Sequence, residues 1–325
     1  MRHTIFLSLL MAGAAIAQDS IGGPMSGIVF DRQARALRPL IGVPGAAYLG
    51  PAVVSNADYA VAAPGGLWAF SVAEGQGRFW SALRSGNPVV HTPALLENAQ
   101  KASFSAKARF AVLWNEQAVQ RVDLRDNSIL AAAVQQSPGE MLTAAINDLG
   151  AIALATSGGL YYWPADAVSP MLVAEQKQSA VTFSNDGRML YALDQQSVLM
   201  YDVETAARSS IALGSTPAAA NSADGSTGEA VATGETAGFE PAGLGVSQDG
   251  KLIFVPDAAT TQLLMYDSAG VSSTLQLDFA PGGFLQLMPQ VFLLNPSFRN
   301  REPLMVVDTR EQPRILLIPT ISSVE

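Results

Sequence analysis

The chain has 325 residues, a formal net charge of -9, no cysteine and two histidines. The missing thiol excludes disulfides, thiolate metal sites and a cysteine nucleophile. The acidic balance speaks against a phosphate-backbone partner such as nucleic acid, which calls for clustered Lys and Arg.

At the N-terminus, Arg2 and His3 precede an apolar run over residues 5–16, and Ala15-Ile16-Ala17 stands before Gln18. This is the pattern of a secretory signal peptide over 1–17, cleaved near Ala17/Gln18, and it predicts a secreted or periplasmic protein. The run is shorter than the ~20 residues a spanning helix needs. No membrane span is expected later, and His91 would be the one histidine of the processed chain.

Beyond residue 17 one pattern recurs: an apolar run, usually closed by Asp, then a short turn and a second strand. Copies begin at Gly27, Gly66, Ala118, Gly159, Ser197, Gln262 and Glu302. Taking Phe30, Phe70, Val122, Trp163, Tyr201, Tyr266 and Val307 as equivalent, the steps are 40, 52, 41, 38, 65 and 41 residues. Another strand pair precedes six of the copies, with hairpin turns at Asn185-Asp186-Gly187 and Gln248-Asp249-Gly250. Asp-Gly suits such a turn because it accepts positive φ.

The strands are unbroken apolar runs, such as Leu160-Tyr161-Tyr162-Trp163, where a sheet with one wet face would alternate. Sheets buried on both faces and delivered at this period stack face to face around an axis. The expected fold is therefore all-β: a single propeller over 18–325 with four-stranded antiparallel blades, seven favoured and six the alternative. The first unit, 27–42, reads as an outer pair of strands. The last already reads as four strands, which speaks against a blade shared by the two ends.

The units resemble the WD-repeat-like propeller repeats of the YVTN (lactonase-type) group. The likeness rests on Ser-x-Asp-Gly at 184–187 and 247–250, on Tyr201-Asp202 and Tyr266-Asp267, and on a proline leading into the inner strand at Pro44, Pro138, Pro241 and Pro281. It implies a propeller, and a lactonase-like hydrolase as one activity such a chain can carry.

Two stretches break the period. Residues 84–101 predict a short helix after Thr92-Pro93. Residues 214–240, with Asp224, Glu229, Glu235 and Glu240 and no basic residue, predict a mobile acidic loop; Asp224, Glu229 and Glu235 are its candidate contacts for a basic partner.

Catalytic residue types are scarce. Asp31, Asp123, Asp202, Asp267 and Asp308 stand where strands enter turns, where Asp bonds its own backbone. Trp68, Trp114 and Trp163 fall at core positions of strands. His91 has no nucleophile or orienting acid nearby in sequence. Glu140, Glu175 and Glu240 lie in connections to inner strands and are the candidates for a cation site at one channel mouth, with calcium the ion weighed. The sequence thus favours a monomeric, non-enzymatic module that binds a protein or small ligand through its loop faces. The alternative is a hydrolase using those three carboxylates and a divalent cation.

Overall fold

The computed structural model describes residues 23–43, 45–125, 128–213, 239–267, 270–299 and 302–320. The signal peptide, Pro44 and the acidic residues Asp224, Glu229 and Glu235 lie outside the described residues.

Seven antiparallel sheets follow one another along the chain. Blade one holds β1 (Met25–Asp31), β2 (Ala36–Ile41) and β3 (Tyr48–Leu49). Blade two holds β4 (Tyr59–Ala62), β5 (Trp68–Ala73), β6 (Gln76–Ser81) and β7 (Val89–His91). Blade three holds β8 (Lys101–Phe104), β9 (Phe110–Trp114), β10 (Ala118–Asp123) and a divided outer strand, β11 (Leu130–Ala131) and β12 (Gln135–Gln136). Blade four holds β13 (Met141–Ile146), β14 (Ile152–Thr156), β15 (Gly159–Trp163) and β16 (Met171–Ala174). Blade five runs from β17 (Ala180–Phe183) and β18 (Met189–Leu193) to β19 (Ser197–Asp202) and β20 (Arg208–Ala212). Blade six holds β21 (Gly245–Val246), β22 (Ile253–Asp257), β23 (Gln262–Asp267) and β24 (Gly270–Gln276). Blade seven holds β25 (Leu285–Met288), β26 (Val291–Leu293), β27 (Leu304–Asp308) and β28 (Arg314–Ile318).

The apolar core is divided among the interfaces between blades. Neighbouring residues of one strand point to opposite sides: in β9, Ala111 and Leu113 enter the cluster shared with blade two, while Val112 and Trp114 enter that shared with blade four. In β18, Leu190 and Ala192 face blade four, whereas Tyr191 and Leu193 face blade six. This two-residue alternation, with both sides dry, is why the strands read as continuous hydrophobic runs. Further clusters join blade one to blade two and blade six to blade seven. The last packs Val29, Leu40 and Leu49 of blade one against Leu287, Leu293 and Val306 of blade seven, and so closes the circle. The fold is a seven-bladed propeller.

Among the described residues, closure uses no shared blade. β28 is the fourth strand of blade seven, and among the described residues blade one is built from β1–β3. β1 packs between β4 and β25 and is thus the innermost strand of its blade. This corrects the reading of 27–42 as an outer pair. Ile28-Val29-Phe30-Asp31 carries the letters of an outer-strand ending because Asp31 closes its turn as Asp202 does: each Oδ1 accepts two backbone N–H groups just downstream.

A second correction follows. Val122, Trp163, Tyr201, Tyr266 and Val307 lie on third strands, but Phe70 lies on β5, a second strand. Counted from Phe79 on β6, the step to Val122 becomes 43 residues. The first break in the period largely vanishes, because 84–101 contains β7 and the connection to blade three. The helix expected after Thr92-Pro93 does not form; residues 92–100 are an irregular loop with a bend at Ala94 and a turn at Glu97-Asn98. The connection stays open because Leu96 is drawn into the blade two–three cluster and its N–H donates to Gln120 Oε1 at 2.7 Å.

Candidate functional site

The first hairpin of each blade, between its innermost and second strands, turns at one mouth of the central channel. In blade five Ser184 Oγ donates to Asp186 Oδ1 at 2.5 Å and accepts from Met189 N at 2.9 Å, with Gly187 at φ +74°. Blade six repeats the bonding through Ser247, Asp249 and Gly250. Blades three and four build a related turn from other letters. Ser105 Oγ accepts from Arg109 N and Phe110 N with Ala108 at φ +55°, and Asn147 Oδ1 accepts from Leu149 N and Ala151 N with Gly150 at φ +82°. The turns are also tied to one another. Lys107 N donates to Asp148 Oδ1, Asn147 Nδ2 to Gly187 O, and Asn185 Nδ2 to Gln248 O.

Inside this ring of turns lies a cavity of about 190 Å³, walled by the innermost strands of blades two to five and seven and by the approach to that of blade six. Phe104, Phe183 and Phe284 supply apolar wall, and Ser103, Thr182 and Gln286 supply hydroxyl and amide groups. Asp148 is the one ionisable residue in the lining. Its Oδ1 accepts from Lys107 N at 3.0 Å, while Oδ2 is shielded from solvent and has no hydrogen-bond partner. A buried acceptor without a donor is unfavourable by about 1–3 kcal/mol, so a ligand donor reaching this wall would relieve a standing cost.

Glu140, Glu175 and Glu240 are exposed and precede the innermost strands of blades four, five and six; in blades four and five the cavity lies at the opposite ends of those strands, and in blade six it is lined by Leu244, just ahead of β21, and not by Glu240. Among the described residues no group of three or more His, Asp or Glu side chains is arranged to hold a metal ion. Their placement therefore lends the hydrolase alternative no support.

The turn aspartates bond their own backbone: Asp31 and Asp202 as above, with Asp123 and Asp308 accepting from Arg125 N and Arg310 N. Asp308 is buried and also takes Arg310 and Arg314 as ion partners at 2.7 and 3.1 Å. The hydrogen bond from Arg310 above all holds its carboxyl down at about 2. Trp68 and Trp114 are buried in blade interfaces, and Trp163 packs against one.

His91, on β7, meets the hydroxyl of Ser81 at Nε2 (2.8 Å) and packs on Trp68 at 5.2 Å. That Ser–His contact is missed by sequence, since the partner lies ten positions upstream. Ser81 is buried in β6, so the contact braces two strands of one sheet.

Fold and cavity together define a propeller with a recessed, hairpin-rimmed channel mouth. No protein-family model matches the chain, and no curated protein does. Among solved structures, a functionally unknown protein from Desulfotomaculum acetoxidans DSM 771 is similar at 12% identity with a TM-score of 0.58, over 91% of this chain and 99% of that one. The β-propeller domain of Myceliophteria thermophila Cps50 (Swd1) is similar at 11% identity with a TM-score of 0.50, over 67% of this chain and 71% of that one. At such identities the likeness speaks for the fold alone.

Proposed function

We propose that this chain is an exported, non-enzymatic binding or scaffolding module that presents the first-hairpin mouth of its channel to a protein or small ligand. The observation that carries the reading is the cavity there, with an apolar wall, a polar rim and one carboxylate oxygen lacking a donor. Recessed sites with a few convergent polar groups are where ligands settle. Export is supported by the N-terminal 17 residues, and the finer kinship with WD-like and YVTN repeats by the Ser-x-Asp-Gly turns. The acidic stretch 214–240, carrying Asp224, Glu229 and Glu235 without a compensating base, offers a further contact to a basic partner. The module works as a monomer and needs no resident cofactor.

A pull-down from the extracytoplasmic fraction tests this, with the intact chain set beside Thr182→Trp, which fills the cavity from its rim. Recovery of a partner by the first and its loss with the second is the expected result. Equal recovery by both would remove the cavity from the account. A rise in Tm with calcium would revive the cation-dependent alternative.

A further inference from the structure

The outer rim between blades three and four carries a separate recess, distant in the fold from the channel mouth. It arises from the divided outer strand of blade three. β11 and β12 both pair with β10; Ala132 N still donates to Arg121 O at 2.9 Å, and residues 133–134 leave the ladder before β12 rejoins it. Gln120, buried, pins the break: Nε2 donates to Ala132 O at 2.9 Å while Oε1 holds Leu96 N. Across the gap, the connection after β15 brings up Ala165 and Ala167, fixed by Trp163 Nε1 donating to Ala167 O at 2.9 Å. Small side chains on both lips leave a trough over Val119, Ile152 and Trp163. It comprises two adjoining cavities of about 240 and 340 Å³ that share Arg121, Ala132 and Ala165.

Arg121 stands where the two cavities meet. Its Nη1 donates to Gly150 O at 3.1 Å and Ala165 O at 2.8 Å, which fixes the guanidinium plane. A guanidinium has five donors, and among the described residues Nε and Nη2 of Arg121 have no partner and no carboxylate forms an ion pair with it. Asp123, two positions along the same strand and lining the second cavity, is held by Arg125 through both carboxylate oxygens. The rim is apolar and unusually open, with Leu130 at 69% exposed and Val168 at 92%. A half-buried, pre-oriented cation thus sits at the floor of a hydrophobic trough in an acidic protein.

We propose that this trough binds a small amphiphilic carboxylate, its acid group held by the Nε/Nη2 edge of Arg121 and its alkyl chain or ring laid over Val119, Ile152 and Trp163. Planar bidentate pairing is what a fixed guanidinium offers a carboxylate. Filling an apolar void restores contacts that its walls lack.

The test is calorimetric titration of the intact protein with decanoate, decanol and decyltrimethylammonium, repeated on Arg121→Gln and Ala132→Trp. Decanoate is expected to saturate one site and to bind more tightly than either analogue. Arg121→Gln should weaken decanoate by about tenfold or more and leave decanol unchanged. Ala132→Trp, an exposed position that keeps the arginine, should abolish binding of both. The proposal falls if decanoate does not saturate, if Arg121→Gln leaves its affinity unaltered, or if the cationic analogue binds as well. Should Arg121→Gln fail to fold, the analogue series and Ala132→Trp decide alone.

Discussion

Blades three to six and the seam between blades seven and one are joined by different means. In the first region each apolar interface is reinforced by hydrogen bonds from turn to turn, through Asp148, Asn147 and Asn185. At the seam, β1 meets β25 through side-chain packing so close that Gly27, at φ +142°, could carry a Cβ only 2.9 Å from that of Leu287. One region is therefore held by oriented bonds that fix register, the other by area and fit. Cavity-forming changes should weigh most at the seam, and bond-removing ones in the laced blades.

The largest expected effect is at Leu40, fully buried in the closing cluster. Leu40→Ala should cost about 3 kcal/mol in urea unfolding. In native-state hydrogen exchange, amides of β1 and β25 should then open before those of β13 and β14. The control is Leu154→Ala, equally buried between blades three and four. If both variants open the ring at the same place, the two regions do not differ in the way described.

Next comes Asp308, which belongs to the seam's own blade. Folded, its carboxyl titrates at about 2, below the ordinary value near 4. Its stabilisation is complete above about pH 4 and is lost as pH falls through about 2. Tm should therefore decline across that window, and Asp308→Asn should flatten the decline while lowering stability at neutral pH by about 2 kcal/mol. An unchanged acid profile in the variant would show that other carboxylates govern the transition. Asp202, its counterpart in blade five, is lowered chiefly by the backbone N–H of Thr205, a bond that salt screens less than an ion pair with exposed guanidinium groups.

The smallest effect belongs to the laced turns. Gly187→Ala imposes a left-handed conformation on an alanine, at about 1–2 kcal/mol, and sets its Cβ 2.9 Å from Asn147 Nδ2. Loss of the Asn147–Gly187 bond should appear as faster exchange confined to the turns of blades four and five. A change spread evenly around the ring would argue against local lacing.

How much of this could be read from the residues depends on where the information lies. The roughly 40-residue step and the doubly apolar strands are local, so the architecture was legible; the favoured count of seven holds although two of its seven marks, Phe30 and Phe70, lie on a first and a second strand. Ser184 and Ser247 announced their hairpins, but Ser105 to Ala108 and Asn147 to Gly150 make similar turns without the same letters: what persists is a side-chain acceptor at the first position and a left-handed residue at the fourth. Blade one was misread because Asp closes a turn equally well after an inner or an outer strand. The channel cavity left no trace in the sequence, since its walls come from strand ends far apart in the chain and meet only in the closed ring. The rim recess did leave one: alanines at 131–133 and at Ala165 and Ala167 mark where two facing walls would lack bulk.

Because every blade of the described residues is a contiguous segment and none of their strands is exchanged between the ends, the order of synthesis sets the order of completion. Within the ring β1 is made first, yet the blade that covers one of its faces is made only after the five between them. Val29, Leu40 and Leu49 must wait, greasy and uncovered, while the five intervening blades are made. A nascent chain of this design has a built-in interval of vulnerability to aggregation, which ends when β25 arrives and the circle shuts.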